Sequence, residues 1–145
     1  MRAYADTGFL CSLYAADAHS RRAAARMKRQ TLPLLLTWLH QREFRDALRL
    51  RVFRREISGA ERDASLNALL ADLSAGVLAT VATPMTEVMT EAERLSALHS
   101  EKLGTGSLDT LHIATALVLG AQELSTFDKR KIGLARACGL KVVAL

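Results

Sequence analysis

Short apolar runs and longer amphipathic stretches alternate along the chain. Arg2 to Asp6 (RAYAD) is mostly apolar up to its acid and predicts a first strand, with Thr7 to Ala16 a helix following directly. Ser20 to Gln30 predicts a second, very basic helix. Leu34 to Thr37 is a continuous apolar run, as expected of a strand buried on both faces. His40 to Arg55 places Phe44, Ala47, Leu48 and Val52 at helical spacing with arginines between them, and Ser58-Gly59 stops it. Ala60 to Ser74 predicts a helix ended by Gly76, and Val77 to Ala82 a strand. Thr86 to Ser100 predicts a helix with Thr86 as its N-cap. Ser107 to Leu119 predicts an apolar helix with Ser107 as N-cap and Gly120 past its end. Glu123 to Phe127 predicts a strand, Lys129 to Cys138 a helix ended by Gly139, and Lys141 to Ala144 a last strand.

Strand and helix thus alternate, with a helical pair between the second and third strands. That order implies parallel strands joined by right-handed crossovers: an α/β fold, a three-layer α/β/α sandwich on a parallel sheet of four or five strands. At 145 residues, one domain spanning 1–145 is expected. Sheets of this kind bind ligands beyond the carboxyl ends of their strands, where the strand order reverses. The residues just after the strands therefore carry the functional question.

Composition narrows the classes. Half of the residues are hydrophobic and 24% are charged, enough to bury a core and against disorder. The longest uncharged stretch, Leu73 to Thr86, is too short and too interrupted to span a membrane. The start of the chain has an acid in its first apolar run and no cleavage-site pattern, so a secretory leader is not expected. Cys11 and Cys138 stand far apart without a second pair, which fits neither a zinc site nor a disulfide framework and suits a reducing cytoplasm.

Charge is uneven. The net charge is +5, but the block from His19 to Glu56 alone carries +8 and the remainder −3. A basic block against a mildly acidic remainder suggests a polyanionic partner, although solvated helix faces produce the same pattern. Fifteen of the 20 basic residues are arginine, which favours bidentate contacts to phosphate or carboxylate. Arg42, Arg45 and Arg49 are the candidate nucleic-acid contacts. With aromatics at 5%, no broad base-stacking platform is expected; a structured RNA read by shape and backbone is.

Four acids occupy the expected edge. Asp6 ends the first strand, Asp128 follows the strand ending at Phe127, Asp109 lies in the first turn of the Ser107 helix, and Glu43 lies near the start of the helix after the second strand. Each alone has a plain structural role: Asp6 and Asp128 as helix caps, Asp109 as a charge at a helix start, Glu43 as a solvated acid. Together they would repel strongly without a divalent cation, and oxygen ligands without histidine or cysteine suit Mg²⁺ or Mn²⁺. Such an ion beside a basic flank suits phosphodiester hydrolysis.

The stretches YADTGFL, QREFRDAL, GSLDTLHIATAL and LSTFDKR resemble, in order and rough spacing over nearly the whole chain, those of the PIN-domain nucleases, and most of all the VapC-type toxins of bacterial toxin–antitoxin pairs. The resemblance implies a metal-dependent endoribonuclease whose acidic quartet falls on Asp6, Glu43, Asp109 and Asp128. It also implies a supporting hydroxyl at Thr7 or Thr126, an RNA substrate, a cognate antitoxin and a homodimer. The family's asparagine three residues after the glutamate is here Asp46, which either tunes the metal or pairs with Arg42 or Arg49. His112, on the face of Asp109, reads as a hydrogen-bonded core residue before a fifth ligand. Gly104-Thr105-Gly106 lacks the lysine and hydroxyl of a phosphate loop. Two other classes remain: a PIN-like RNA-binding module without turnover, and a receiver-like domain with Asp6 as phosphoacceptor and Lys129 as its lysine.

Overall fold

The computed structural model describes residues 2–145. Five short strands, β1 (Ala3–Ala5), β2 (Leu34–Leu36), β3 (Leu78–Thr80), β4 (Glu123–Ser125) and β5 (Lys141–Val142), form one sheet in the order β3-β2-β1-β4-β5. Every pairing is parallel. From β1 the chain winds outward to β2 and β3, then returns to place β4 on the other side of β1. The order therefore reverses between β1 and β4, and that is where a ligand crevice opens.

Because side chains alternate across a strand, β1 feeds two cores. Ala3 and Ala5 join Leu34, Leu36, Phe44, Leu48, Leu69 and Leu78 on the face covered by α1 (Thr7–Tyr14), α2 (Ser20–Lys28), α3 (Trp38–Phe53) and α4 (Gly59–Ser74). Tyr4 joins Val88, Leu95, Ile113, Leu124 and Leu134 on the other face. That face is covered by α5 (Met85–Leu95), α7 (Ser107–Val118) and α8 (Lys129–Ala137). The expected α/β/α sandwich is present with five strands.

Several boundaries differ from expectation for local reasons. α3 begins at Trp38 because Thr37 accepts from His40 N–H while the His40 ring accepts from Thr37 N–H, a reciprocal cap. Thr86 does not cap α5; Pro84 precedes the helix, without a side-chain cap. The long helix expected over Thr86–Ser100 gives way to a π turn, Ser96–Ser100, and then a final short turn, α6 (Glu101–Leu103). Ser107 is the first residue of α7 rather than its cap: Gly106 caps it, and the Asp109 carboxylate accepts from Gly106 N–H at 2.9 Å. Among the described residues no helix is long and apolar enough to cross a membrane.

Candidate active site

Three of the four acids meet, each held in the same way. Asp6 caps α1, its Oδ1 accepting from Phe9 N–H at 2.9 Å. Asp128 caps α8, its Oδ1 accepting from the backbone N–H groups of Arg130 and Lys131. Asp109 uses Oδ2 at the start of α7. Each thus spends one oxygen on the unpaired N–H groups of a helix start, which fixes the carboxylate and sets it in a field favouring its charge. The other oxygen of each points at one ammonium: Lys131 Nζ lies 3.2 Å from Asp6 Oδ2, 3.6 Å from Asp109 Oδ1 and 4.0 Å from Asp128 Oδ2. Capping and clustering, alternatives in the sequence, are two ends of the same side chains.

Thr126 ties two of the acids together. Its buried hydroxyl donates to Asp6 Oδ2 at 2.6 Å and accepts from Asp128 N–H at 3.0 Å. Burial opposes charge on Lys131, but Asp6, Asp128 and Asp109 outweigh it and hold its ammonium above the usual lysine range. The Asp6 side chain is 2% exposed and that of Asp128 43%, so the cluster runs from a buried floor to an open rim. Asp6, Gly8, Ser12, His19, Asp128 and Lys131 line a hollow of about 270 Å³ there, with Phe127.

Glu43 stands to one side and does not touch Lys131. Its Oε1 accepts from Thr7 Oγ1 at 2.8 Å and from His112 Nε2 at 2.5 Å. His112 is buried, and its Nδ1 accepts from the Tyr4 hydroxyl at 2.7 Å. It is a hydrogen-bonded core histidine that anchors Glu43. Burial favours the neutral acid, but the bonds from His112 and Thr7, and the more distant Lys131, hold the Glu43 carboxyl below its usual range. Thr7 and Thr126 therefore each bind one of the expected acids.

The other expected residues lie elsewhere. Arg45 and Arg49 line a separate hollow of about 260 Å³ against α4, with Arg62 and Asp63, and Arg42 is exposed. Asp46 is exposed and makes no ion pair with Arg42 or Arg49 among the described residues, so the helix-pairing reading of that acid fails. The lysine beside Asp6 is Lys131; Lys129, expected in the receiver-like reading, is an exposed first residue of α8. Lys131 went unnoticed within the run Lys129-Arg130-Lys131. The available signal was its spacing: three residues after a helix-capping acid, a side chain lies over the helix start.

The donors gathered here are hard oxygens around a single positive charge. They are spaced about an ammonium. Among the described residues no three acid, histidine or cysteine side chains stand close enough together to form a ready-made metal-holding group.

Solved structures with the same architecture include VapC20 of Mycobacterium tuberculosis, a sarcin–ricin loop cleaving toxin, with a TM-score of 0.71, 17% identity and 99% of each chain covered. The chain has a PIN-like fold. FitAcB from Neisseria gonorrhoeae matches with a TM-score of 0.63 and 17% identity over 98% of this chain and 96% of that one. VapBC-1 from nontypeable Haemophilus influenzae matches with a TM-score of 0.62 and 16% identity over 99% and 97%. No protein-family model matches the sequence, and no curated protein matches it. The PIN-like fold puts the acid cluster at the reversal between β1 and β4, where a ligand crevice is expected.

Proposed function

We propose that the chain is a metal-dependent endoribonuclease, the toxin of a toxin–antitoxin pair. The observation that carries this reading is the convergence of Asp6, Asp109 and Asp128 on one cationic point at the carboxyl edge of the sheet. The PIN-like neighbours, one of them named as a sarcin–ricin loop cleaving toxin, support it.

The donor set, though spaced about an ammonium, suits a divalent ion by its chemistry. A positive charge already stands where the three carboxylates aim, and all the donors are hard oxygens, as Mg²⁺ or Mn²⁺ prefers. Asp6, Asp109 and Asp128 would hold the ion, with Glu43 beside them. Held there, such an ion would supply Lewis-acid activation of water and neutralisation of charge on the leaving oxygen.

The rest of the chemistry belongs to the chain. Phe9 N–H, Gly106 N–H and the N–H groups of Arg130 and Lys131 keep the three carboxylates oriented without substrate, so little reorganisation is needed on binding. Lys131 offsets their mutual repulsion. Glu43, ionised at neutral pH and fixed through Oε1, retains Oε2 to accept a proton from an attacking water.

The substrate is a structured RNA, and basic side chains hold its phosphates with salt-dependent affinity. A cognate antitoxin is the protein partner, supported by the FitAcB and VapBC-1 neighbours. A homodimer is supported by exposed Met89, Leu98 and Leu108 around α5 and α7.

The test is cleavage of a structured RNA by purified protein with Mg²⁺ or Mn²⁺, with chelator, and by Asp109→Asn. Cleavage needs the ion and falls about a hundredfold or more in the variant, since losing even an outer-shell partner of a metal costs about 10–100-fold. Asparagine keeps an oxygen for Gly106 N–H, so the variant's melting transition stays within a few degrees. Equal cleavage by both proteins contradicts the assignment of the acid cluster as the active site, and no cleavage by wild type with either metal contradicts the nuclease reading.

A further inference from the structure

Phe127 lies between two residues of the acid cluster, Thr126 and Asp128, yet its ring takes no part in that cluster. Phe9 stacks on it from within the core, centroids 5.9 Å apart at 16°. His19 stacks on it almost parallel, 4.3 Å away at 9°. The Arg22 guanidinium sits 5.1 Å from the Phe127 centroid and donates to His19 Nδ1 at 2.6 Å. The result is a planar pile that begins in the core at Phe9 and ends at a half-buried histidine and an exposed arginine.

The pile borders two hollows that share His19 and Phe127. One is the acid-lined hollow over Asp6, Asp128 and Lys131. The other, about 440 Å³, has walls from α2, α8 and β5, and is lined by Arg22, Lys129 and Arg136 with Ile132 and Val142. Among the described residues it is lined by three Lys or Arg side chains and no Asp or Glu. Its volume falls in the range of small-ligand sites, roughly 300–1,000 Å³. Apolar walls, a flat aromatic and guanidinium face and a positive rim are what one nucleotide requires: a surface for its base and charge for its phosphate.

We propose that this second hollow is a nucleotide subsite: a base of the substrate strand stacks on the His19–Phe127–Arg22 pile, and its phosphate meets Lys129 and Arg136. This rests on the nuclease reading and specifies its substrate. Adjacent to the acids, the stacked nucleotide neighbours the bond that is cut. Stacking accepts any base, but only one already free of its own helix, so the subsite selects RNA with an unpaired nucleotide next to the cleaved phosphodiester. Aromatic scarcity argued against a broad platform; a single platform needs only one phenylalanine when histidine and arginine complete it.

The test is binding in chelator, where no cleavage occurs. The probes are a single-stranded RNA carrying one 2-aminopurine and the same strand in a duplex. Wild-type protein quenches the single-stranded probe by stacking and leaves the duplex probe bright. His19→Ala weakens single-strand affinity about tenfold, in line with the roughly 1–3 kcal/mol of stacking per base, and abolishes the quench. His19→Tyr, which restores a flat ring, recovers both. The His19 side chain makes no capping bond to α2, so its removal leaves that helix start intact. Equal, salt-sensitive losses in His19→Ala and His19→Tyr reduce the hollow to a basic surface and overturn the proposal. So does displacement of the probe by an acidic peptide but not by a mononucleotide, which makes the hollow a protein-docking site. Intact stacking in a chain that never cleaves RNA overturns the nuclease reading alone; normal cleavage without the quench overturns the subsite alone.

Discussion

His40 shows how tightly the ground beneath the acids is specified. Fully buried, it donates from Nε2 to Ala5 O at 2.7 Å, one residue before Asp6, and accepts at Nδ1 from Thr37 N–H and Oγ1. Both ring nitrogens are thus used by the neutral form, and a proton on Nδ1 would face an N–H donor. Burial, reinforced by the neighbouring His112 ring, drives its pKa down to about 3. The folded state therefore takes up fewer protons at His40 than the unfolded chain does below about pH 6.5. Stability falls as pH drops from about 6.5 toward 3. Glu43, with a lowered pKa, loses stability in the same direction but only below its unfolded value of 4.5. Proton NMR should show the His40 ring resonances unmoved down to pH 5 in the folded protein; a midpoint near 6.5 contradicts this account.

At the residue scale the sequence exposed the acids but not their counter-charge. Asp6 and Asp128 stand out because each ends an apolar run, and Asp109 because it opens an apolar helix; those are local facts. The spacing after Asp128 sets Lys131, and not Lys129, over the start of α8, but that it reaches Asp6 depends on where α8 lies against β1, which no local pattern encodes. The pairing of Glu43 with His112 joins α3 to α7, 69 residues apart in the chain. The stack of His19 on Phe127 likewise joins residues from distant elements.

Elements matter here chiefly through their starts. α1, α7 and α8 each begin beside the crevice, and each commits a carboxylate to its own first N–H groups. The approach to α7 shows how glycine serves this. Gly104 ends α6 in the left-handed region at φ 68°, where a side chain is strained. Gly106 is extended at φ −87°, and a methyl group added there would meet only the Asp109 carboxylate, at 3.9 Å. Gly104→Ala should cost about 1 kcal/mol, while Gly106→Ala should leave stability unchanged or raise it by up to about 1 kcal/mol. Urea melts of both variants check this, and equal losses would contradict the assignment. The strand–helix order was legible because each strand is an apolar run and each helix is periodic. The π turn at Ser96–Ser100 was not, since it continues the same periodicity and differs only in hydrogen bonding.

For the whole molecule, the sheet order β3-β2-β1-β4-β5 does the decisive work. It brings the ends of β1 and β4 together, so residues 6 and 128 meet although almost the whole chain separates them. The alternating pattern implied parallel strands but not their lateral order, which crossover handedness and packing decide. The central claim is that Asp6, Asp109 and Asp128 share a hard cation whose place Lys131 holds. Calorimetric titration of Mn²⁺ into the purified protein tests it most directly. Wild-type protein should bind saturably, Asp6→Asn should lose at least about tenfold in affinity, and Lys131→Met, freed of the competing ammonium, should bind more tightly than wild type. Equal Mn²⁺ affinity in all three proteins would contradict the claim.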